Sequence, residues 1–228
     1  MEISGHTRLL CLIGSPVAHS GSPAMYNYSF EKLGLDYRYL AFDIKEEDTK
    51  KAIEALKMMN FRGCNITMPG KTVAASCCDE LSKAAELTGA VNTIVNEDGK
   101  LVGHITDGTG WIRNCLEHGF DIHGKKLVIA GCGGAGTAIQ IAAALGGAKD
   151  VVILARKSSV RYANGEATVQ KIREHVPECR AEIFDLEDVG AVRRALVGAD
   201  LFCNATKIGM KPMDDQSVIP DASMLRPE

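Results

Sequence analysis

No stretch of the 228-residue chain approaches the about 20 consecutive apolar residues that a membrane-spanning helix needs. The start, MEISGHTRLLCLIGS, has no basic opening, no long apolar centre and no small-residue cleavage site, so it does not read as a secretion signal. The protein is expected to stay where it is made, in the cytoplasm. An excess of positive charge is also missing: 26 Lys and Arg against 29 Asp and Glu leave a net charge of -3. That provides no basic field for nucleic acid and favours a small-molecule ligand, with monomer or homodimer left open. The eight cysteines, at positions 11, 64, 77, 78, 115, 132, 179 and 203, contain no C-x-x-C pair. Several fall in apolar runs and read as buried thiols. The six histidines lack H-E-x-x-H or other paired spacing, so no structural metal is expected.

What is present is ordinary globular material, 46% hydrophobic and 24% charged, enough for one large or two modest domains. Short apolar runs alternate with helix-like segments, the pattern of an α/β protein. Leu9 to Ile13, Tyr37 to Phe42 and Phe61 to Ile66 read as strands. Ser22 to Leu33 reads as a helix with Ser22 as N-cap and Pro23 in its first turn. Glu46 to Met59 places Ala52, Ile53, Leu56 and Met59 on one helical face. Further on, Asp79 to Leu87 and Thr109 to His118 look helical, and Ala90 to Val95 and Leu101 to Ile105 look like strands joined at Asp98-Gly99. The polar stretch GFDIHGKK marks a boundary, giving a substrate domain over 1–118 and a nucleotide domain over 119–228.

The second block opens with a βαβ unit. Leu127 to Ala130 is followed by Gly131-Cys132-Gly133-Gly134-Ala135-Gly136, an Ala-rich helix to about Leu145, and Val151 to Ala155. G-x-G-x-x-G directly after a strand and opening a helix is the dinucleotide fingerprint: glycine admits a pyrophosphate, and the helix N-terminus offsets its charge. The second strand ends in Arg156-Lys157-Ser158-Ser159, with Arg161 close behind, where an acid would bind the ribose of NAD. Cations suit a 2′-phosphate, so NADP is favoured and NAD stays open.

In the first block, Asn65-Ile66-Thr67-Met68-Pro69-Gly70-Lys71 sets one lysine behind a Pro-Gly breaker at the end of a strand. Lys71 is expected to start the next helix; position alone leaves open whether it works or merely solvates.

These residues carry a family resemblance. Gly14-Ser15-Pro16-Val17-Ala18-His19-Ser20-Gly21-Ser22-Pro23 resembles the substrate loop of shikimate dehydrogenases, G-x-P-x-x-H-S-x-S-P. NITMPGK resembles the N-V-T-x-P-x-K of that family, Gly89 to Thr93 matches G-A-V-N-T, and Gly103 to Gly108 resembles G-x-N-T-D-G. With GCGGAG the blocks stand in family order, and Thr206-Lys207-Ile208-Gly209-Met210-Lys211-Pro212 resembles the quinate/shikimate branch.

The resemblance implies an N-terminal α/β substrate domain, a Rossmann-like domain and a cleft site between them, acting on shikimate or quinate with NADP. It makes Lys71 and Asp107 the catalytic pair on the reacting hydroxyl and Ser20, Ser22, Thr67 and Asn92 the substrate-binding groups. In an extended loop Ser20 and Ser22 would point the same way and grip one carboxylate, while Asn92 both donates to and accepts from vicinal hydroxyls. Gly131, Gly133, Gly134, Ala135, Gly136, Arg156, Lys157, Ser158 and Lys207 are the cofactor residues it implies. Two departures bear on substrate preference: Gly70 widens the space beside Lys71, and Ile105 replaces a polar residue near Asp107. Members of the family run on past residue 228, which implies a nucleotide domain shortened at its end. Two other readings are a silent binding homologue, against which both Lys71 and Asp107 argue, and a folate-type dehydrogenase, which needs neither the paired serines nor Asn92.

Overall fold

The computed structural model describes residues 2–225, and its packing divides the chain into two compact units on either side of the Thr106-Asp107 bond. The first unit is built on a six-stranded sheet in the order β2-β1-β3-β5-β6-β4. Its strands are β1 (Arg8–Gly14), β2 (Tyr37–Asp43), β3 (Gly63–Ile66), β4 (Glu80–Leu81), β5 (Thr93–Glu97) and β6 (Lys100–His104). β1 runs parallel to β2 and β3, β5 is antiparallel to both β3 and β6, and β4 runs parallel to β6. The C-terminal ends of β1, β3 and β6 and the start of β5 therefore lie along one edge.

Helix α1 (Ser22–Lys32) begins one residue earlier than its sequence implies. Gly21 holds the N-cap position, Pro23 sits in the first turn, and Ser22 is the first helical residue. The Ser22 N–H donates to Ser20 Oγ at 3.2 Å, so the two serines are not in an extended stretch and Ser22 caps nothing. Asn27 ties α1 to the sheet: its amide donates to the Tyr39 carbonyl and its oxygen accepts from the Tyr39 N–H. Tyr26 stacks on Tyr39 with ring centroids 4.4 Å apart, closing a cluster with Phe30 and Leu12. Helix α2 (Thr49–Met58), after a 3-10 turn at Glu46–Asp48, buries Thr49, Ile53 and Leu56. Met59, expected on that face, is the C-cap and mostly exposed.

α3 (Lys71–Ala75) starts at the lysine. The helix expected over Asp79 to Leu87 is instead β4, then α4 (Lys83–Thr88) with Ser82 accepting from the Ala85 N–H as cap. Asp79 explains the break, since its N–H donates to the Leu101 carbonyl and its carboxylate accepts from the Leu101 N–H at 2.7 Å. This pairing lays the segment along β6.

The second unit starts with α5 (Asp107–Glu117). α5 packs with this unit because Gly108 lets it lie directly on α6 (Gly134–Leu145): a Cβ there would strike the Ala138 carbonyl. The packing boundary thus precedes the polar GFDIHGKK stretch, with α5 on its far side. A parallel sheet follows in the order β10-β7-β8-β9, made of β7 (Lys126–Ala130), β8 (Asp150–Ala155), β9 (Arg180–Asp185) and β10 (Leu201–Asn204). β8 is buried throughout and β7 nearly so, as strands covered on both faces must be, which is why they read as continuous apolar runs. α7 (Tyr162–His175) and α8 (Val189–Leu196) complete the crossovers. Among the described residues no helix is long and apolar enough to cross a membrane.

Candidate active site

Two loops meet at the edge of the first unit's sheet. The one leaving β1 carries Ser20 and Ser22; the one leaving β3 carries Thr67 and leads to Lys71. They are sewn together by the backbone, with the Ser15 N–H donating to Met68 O and the Thr67 N–H to Ile13 O, both at 2.9 Å. At the crossing sits Gly14, where a Cβ would collide with the Thr67 side chain and lie 2.8 Å from Met68 O. Lys71 is half-buried, and its carbonyl accepts from the Val91 N–H at 2.9 Å, which fixes the start of α3 against the G-A-V-N-T turn.

Gly70 does not open space beside the lysine. It is buried, and Thr49 of α2 fills the place of its missing Cβ, with Oγ1 2.7 Å away. Ile105 is buried as well, in keeping with an apolar residue one step before the edge turns polar at Thr106.

Asn92 stands at the centre of a hydrogen-bonded chain that crosses the sheet. Its Oδ1 accepts from the Thr106 N–H at 3.0 Å, from Thr106 Oγ1 at 3.1 Å and from Thr93 Oγ1 at 3.0 Å. The acceptor side of the carboxamide is thus committed to the protein. Thr93 in turn accepts from Asn65 Nδ2 at 3.1 Å, and Asn65 Oδ1 accepts from Tyr39 Oη at 2.8 Å. Tyr39 is 1% exposed, and burial first, then the neighbouring Tyr26, holds its hydroxyl protonated far above the ordinary tyrosine range. It acts as a fixed donor at the end of the chain. Sequence reading missed Tyr39, Asn65, Thr93 and Thr106; the residue pattern gave no sign that three strands and a turn would align them. Asp107 follows Thr106 directly and opens α5, half-buried.

In the second unit the glycine loop lies at the C-terminal end of β7, the strand between β10 and β8, and opens α6. A groove of about 440 Å³ runs past it, lined by Gly131, Gly133, Gly134 and Ala135, by Arg156, Ser159 and Arg161 beyond β8, and by Thr206 and Lys207 beyond β10. A Cβ on Gly136 would strike the Gly131 carbonyl, and one on Gly133 would lie 3.5 Å from Arg161 Nη1. The loop is thus close-packed below and faced by a guanidinium above, and with the N-terminus of a twelve-residue helix this fits a dinucleotide pyrophosphate. Cys132, inside the motif, is a packing residue: burial pushes its thiol up to about 11, and a Cβ on Gly165 of α7 would lie 2.6 Å from its sulfur.

Lys157 and Ser158 do not line this groove. Ser158 Oγ donates to Glu187 at 2.9 Å, and the Lys157 N–H donates to Asp185, whose carboxyl is held below the usual range by the N–H groups of Glu187 and then Lys157. Arg161 and Ser159 take the inward places, because the chain turns at Ser159, whose N–H donates to Arg156 O. Thr206 went unnoticed in the sequence beside Lys207.

A parallel sheet with a glycine loop at the end of an inner strand, together with a mixed sheet that gathers Thr67, Lys71 and Asn92 at one edge, defines an α/β dehydrogenase with a Rossmann-like nucleotide unit. A profile of the shikimate dehydrogenase substrate binding domain matches residues 12–94. The shikimate dehydrogenase (NADP(+)) of Listeria monocytogenes is 51% identical over 227 residues, covering 100% of this chain and 77% of that protein. The crystal structure of a Listeria monocytogenes shikimate 5-dehydrogenase in complex with shikimate and NAD superposes with a TM-score of 0.96 at 50% identity, over 100% of this chain and 78% of that one. Quinate dehydrogenase from Corynebacterium glutamicum in complex with NAD gives a TM-score of 0.82 at 27% identity, over 96% of this chain and 77% of that one. The chain belongs to the shikimate dehydrogenase family.

Proposed function

We infer that the protein catalyses the reversible oxidation of shikimate to 3-dehydroshikimate with NADP, and of quinate to 3-dehydroquinate as the activity of the related branch. The observation that carries this is the polar edge of the first unit's sheet, where hydroxyl, amide and ammonium groups are delivered by successive strand ends. Hydroxyls of Ser20, Ser22 and Thr67 receive the carboxylate, and the Asn92 N–H receives a ring hydroxyl. In the forward direction the C–H hydride goes to NADP and the hydroxyl proton to Lys71, while Asp107 holds the reacting hydroxyl. Substrate recognition thus belongs to the first unit and the dinucleotide to the second. NADP is supported by three cations along the groove, Arg156, Arg161 and Lys207, whereas the nearby acids Asp185 and Glu187 bind backbone N–H groups and Ser158 and stay off its lining. A cytoplasmic protein, monomeric or homodimeric and without a nucleic-acid partner, completes the reading.

The test is a matrix of shikimate and quinate against NADP and NAD, run on the wild type and on Arg156→Ala. Turnover of shikimate with NADP is expected to exceed the other pairs. A charge-assisted contact is worth about 1.5 to 3 kcal/mol, at the lower end for an exposed guanidinium, so Arg156→Ala should weaken NADP roughly 10-fold and leave NAD unchanged. Binding of shikimate without turnover in any pair would establish the silent homologue instead.

A second expectation concerns the Asn92 chain. Thr93→Val keeps the shape but removes both the acceptor for Asn65 and the donor to Asn92, so KM for shikimate should rise about 3- to 10-fold, the worth of one or two net hydrogen bonds. Thr93→Ser should retain the wild-type KM. Equal KM values in all three proteins would mean that Asn92 is held without this chain.

A further inference from the structure

Helix α6 is apolar along its buried length, with Ala138, Ile139, Ile141, Ala142, Ala143 and Ala144 all in the core. One polar side chain interrupts it. Gln140 is 0% exposed, and its Nε2 donates to the carbonyl of Gly131 at 2.8 Å. Among the described residues no donor reaches its Oε1. Turning the carboxamide over would set Oε1 against the Gly131 carbonyl, acceptor to acceptor, so the orientation is fixed by the contact itself.

A buried acceptor without a donor costs stability, and a leucine of similar size would remove that acceptor while taking the Gln140 donor away from the Gly131 carbonyl. Stability of the helix therefore does not account for the carboxamide. Its one satisfied contact falls on the first glycine of the phosphate loop, and that glycine is placed narrowly. Gly131 has φ +110°, its N–H donates to Leu154 O at 2.8 Å, and a Cβ there would lie 2.8 Å from Ala205 O. Its carbonyl lies against Gly136 in the first turn of α6. The direction of this peptide sets the path of the chain into Gly133 and Gly134, which line the groove.

We propose that Gln140 is a positioning residue of the dinucleotide site: its amide holds the Gly131 carbonyl turned into the protein and so aims the loop N–H groups at the pyrophosphate. The inference rests on the reading of the groove as an NADP site. Gln140 acts on the part of the cofactor that NADP and NAD share, unlike Arg156.

The experiment compares wild type with Gln140→Leu and Gln140→Met, measuring Kd for NADP and for NAD by titration, KM for shikimate, and Tm without ligand. Loss of one pre-organising hydrogen bond should raise both dinucleotide Kd values roughly 3- to 10-fold and by similar factors. KM for shikimate should stay at the wild-type value and Tm should change little, since the acceptor that lacked a donor is removed as the Gly131 carbonyl loses one. If the leucine variant fails to fold, the methionine variant decides. Unchanged dinucleotide Kd in a folded variant overturns the role of Gln140, as does a lower Tm with shikimate and dinucleotide weakened together. A wild-type protein that binds neither dinucleotide overturns the groove reading and this inference with it, an outcome distinct from the other two.

Discussion

Replacing Lys71 by alanine is expected to lower kcat for shikimate oxidation by about 10²-fold or more while leaving the fold in place, because the variant loses the group proposed to exchange the hydroxyl proton. The structure explains why the fold should survive. α3 is held by the Lys71 carbonyl, which accepts from the Val91 N–H, and by the Ala74 N–H, which donates to the Gly70 carbonyl. Neither bond involves the side chain. Gly70 is fixed separately by Thr49, and Ala74 is 0% exposed in the core. Alanine is also a good helix former at this position. Steady-state kinetics with shikimate and NADP, read beside Tm, check this: a fallen kcat with an unchanged Tm is the expected pair. A variant that turns over at near the wild-type rate would show that Lys71 only binds or solvates.

What could be read from the sequence was local. The alternation of strands and helices, the glycine loop opening α6 and the start of α3 at Lys71 all follow from neighbours within a few residues, where Pro, Gly and hydrophobic period act directly. What could not be read depends on partners far along the chain. β4 is two residues long and exists because Asp79 pairs with Leu101 on β6. α5 looked like the end of the first block, yet Gly108 lets it lie on α6. Gly70 looked like extra room until Thr49 was found in it. Among site residues, the types were legible and their hydrogen-bond commitments were not. Ser158 is spent on Glu187, and Asn92 Oδ1 on Thr93 and Thr106. A motif names donors and acceptors; only the packed chain says which of them are already in use.

Gly14→Ala is the substitution expected to damage the site most without touching a reacting group. Gly14 ends β1 at φ +155°, a conformation that residues with a side chain rarely adopt, and its carbonyl accepts from the Ile44 N–H at 2.8 Å. A methyl group there runs into the Thr67 side chain and comes within 2.8 Å of Met68 O and 3.3 Å of the Thr67 carbonyl carbon. Two of these obstacles are backbone, so rotation of a side chain cannot relieve them. Backbone strain and overpacking each cost of order 1 to 3 kcal/mol, and the fold can lower that cost only by moving the loop of Ser20 and Ser22 away from the loop of Thr67 and Lys71. Misplacement of about 1 Å in groups that orient a substrate can cost roughly 10²-fold in rate. The expected result is a lower Tm, a fall in kcat/KM for shikimate on the order of 10²-fold, and an unchanged Kd for NADP, since every residue lining the nucleotide groove belongs to the second unit. Measuring all three on one preparation separates a displaced substrate edge from general unfolding, which would weaken both ligands together. A Gly14→Ala protein with wild-type kcat/KM would mean that the two loops tolerate separation and that their crossing at Gly14 does not set the geometry of the site.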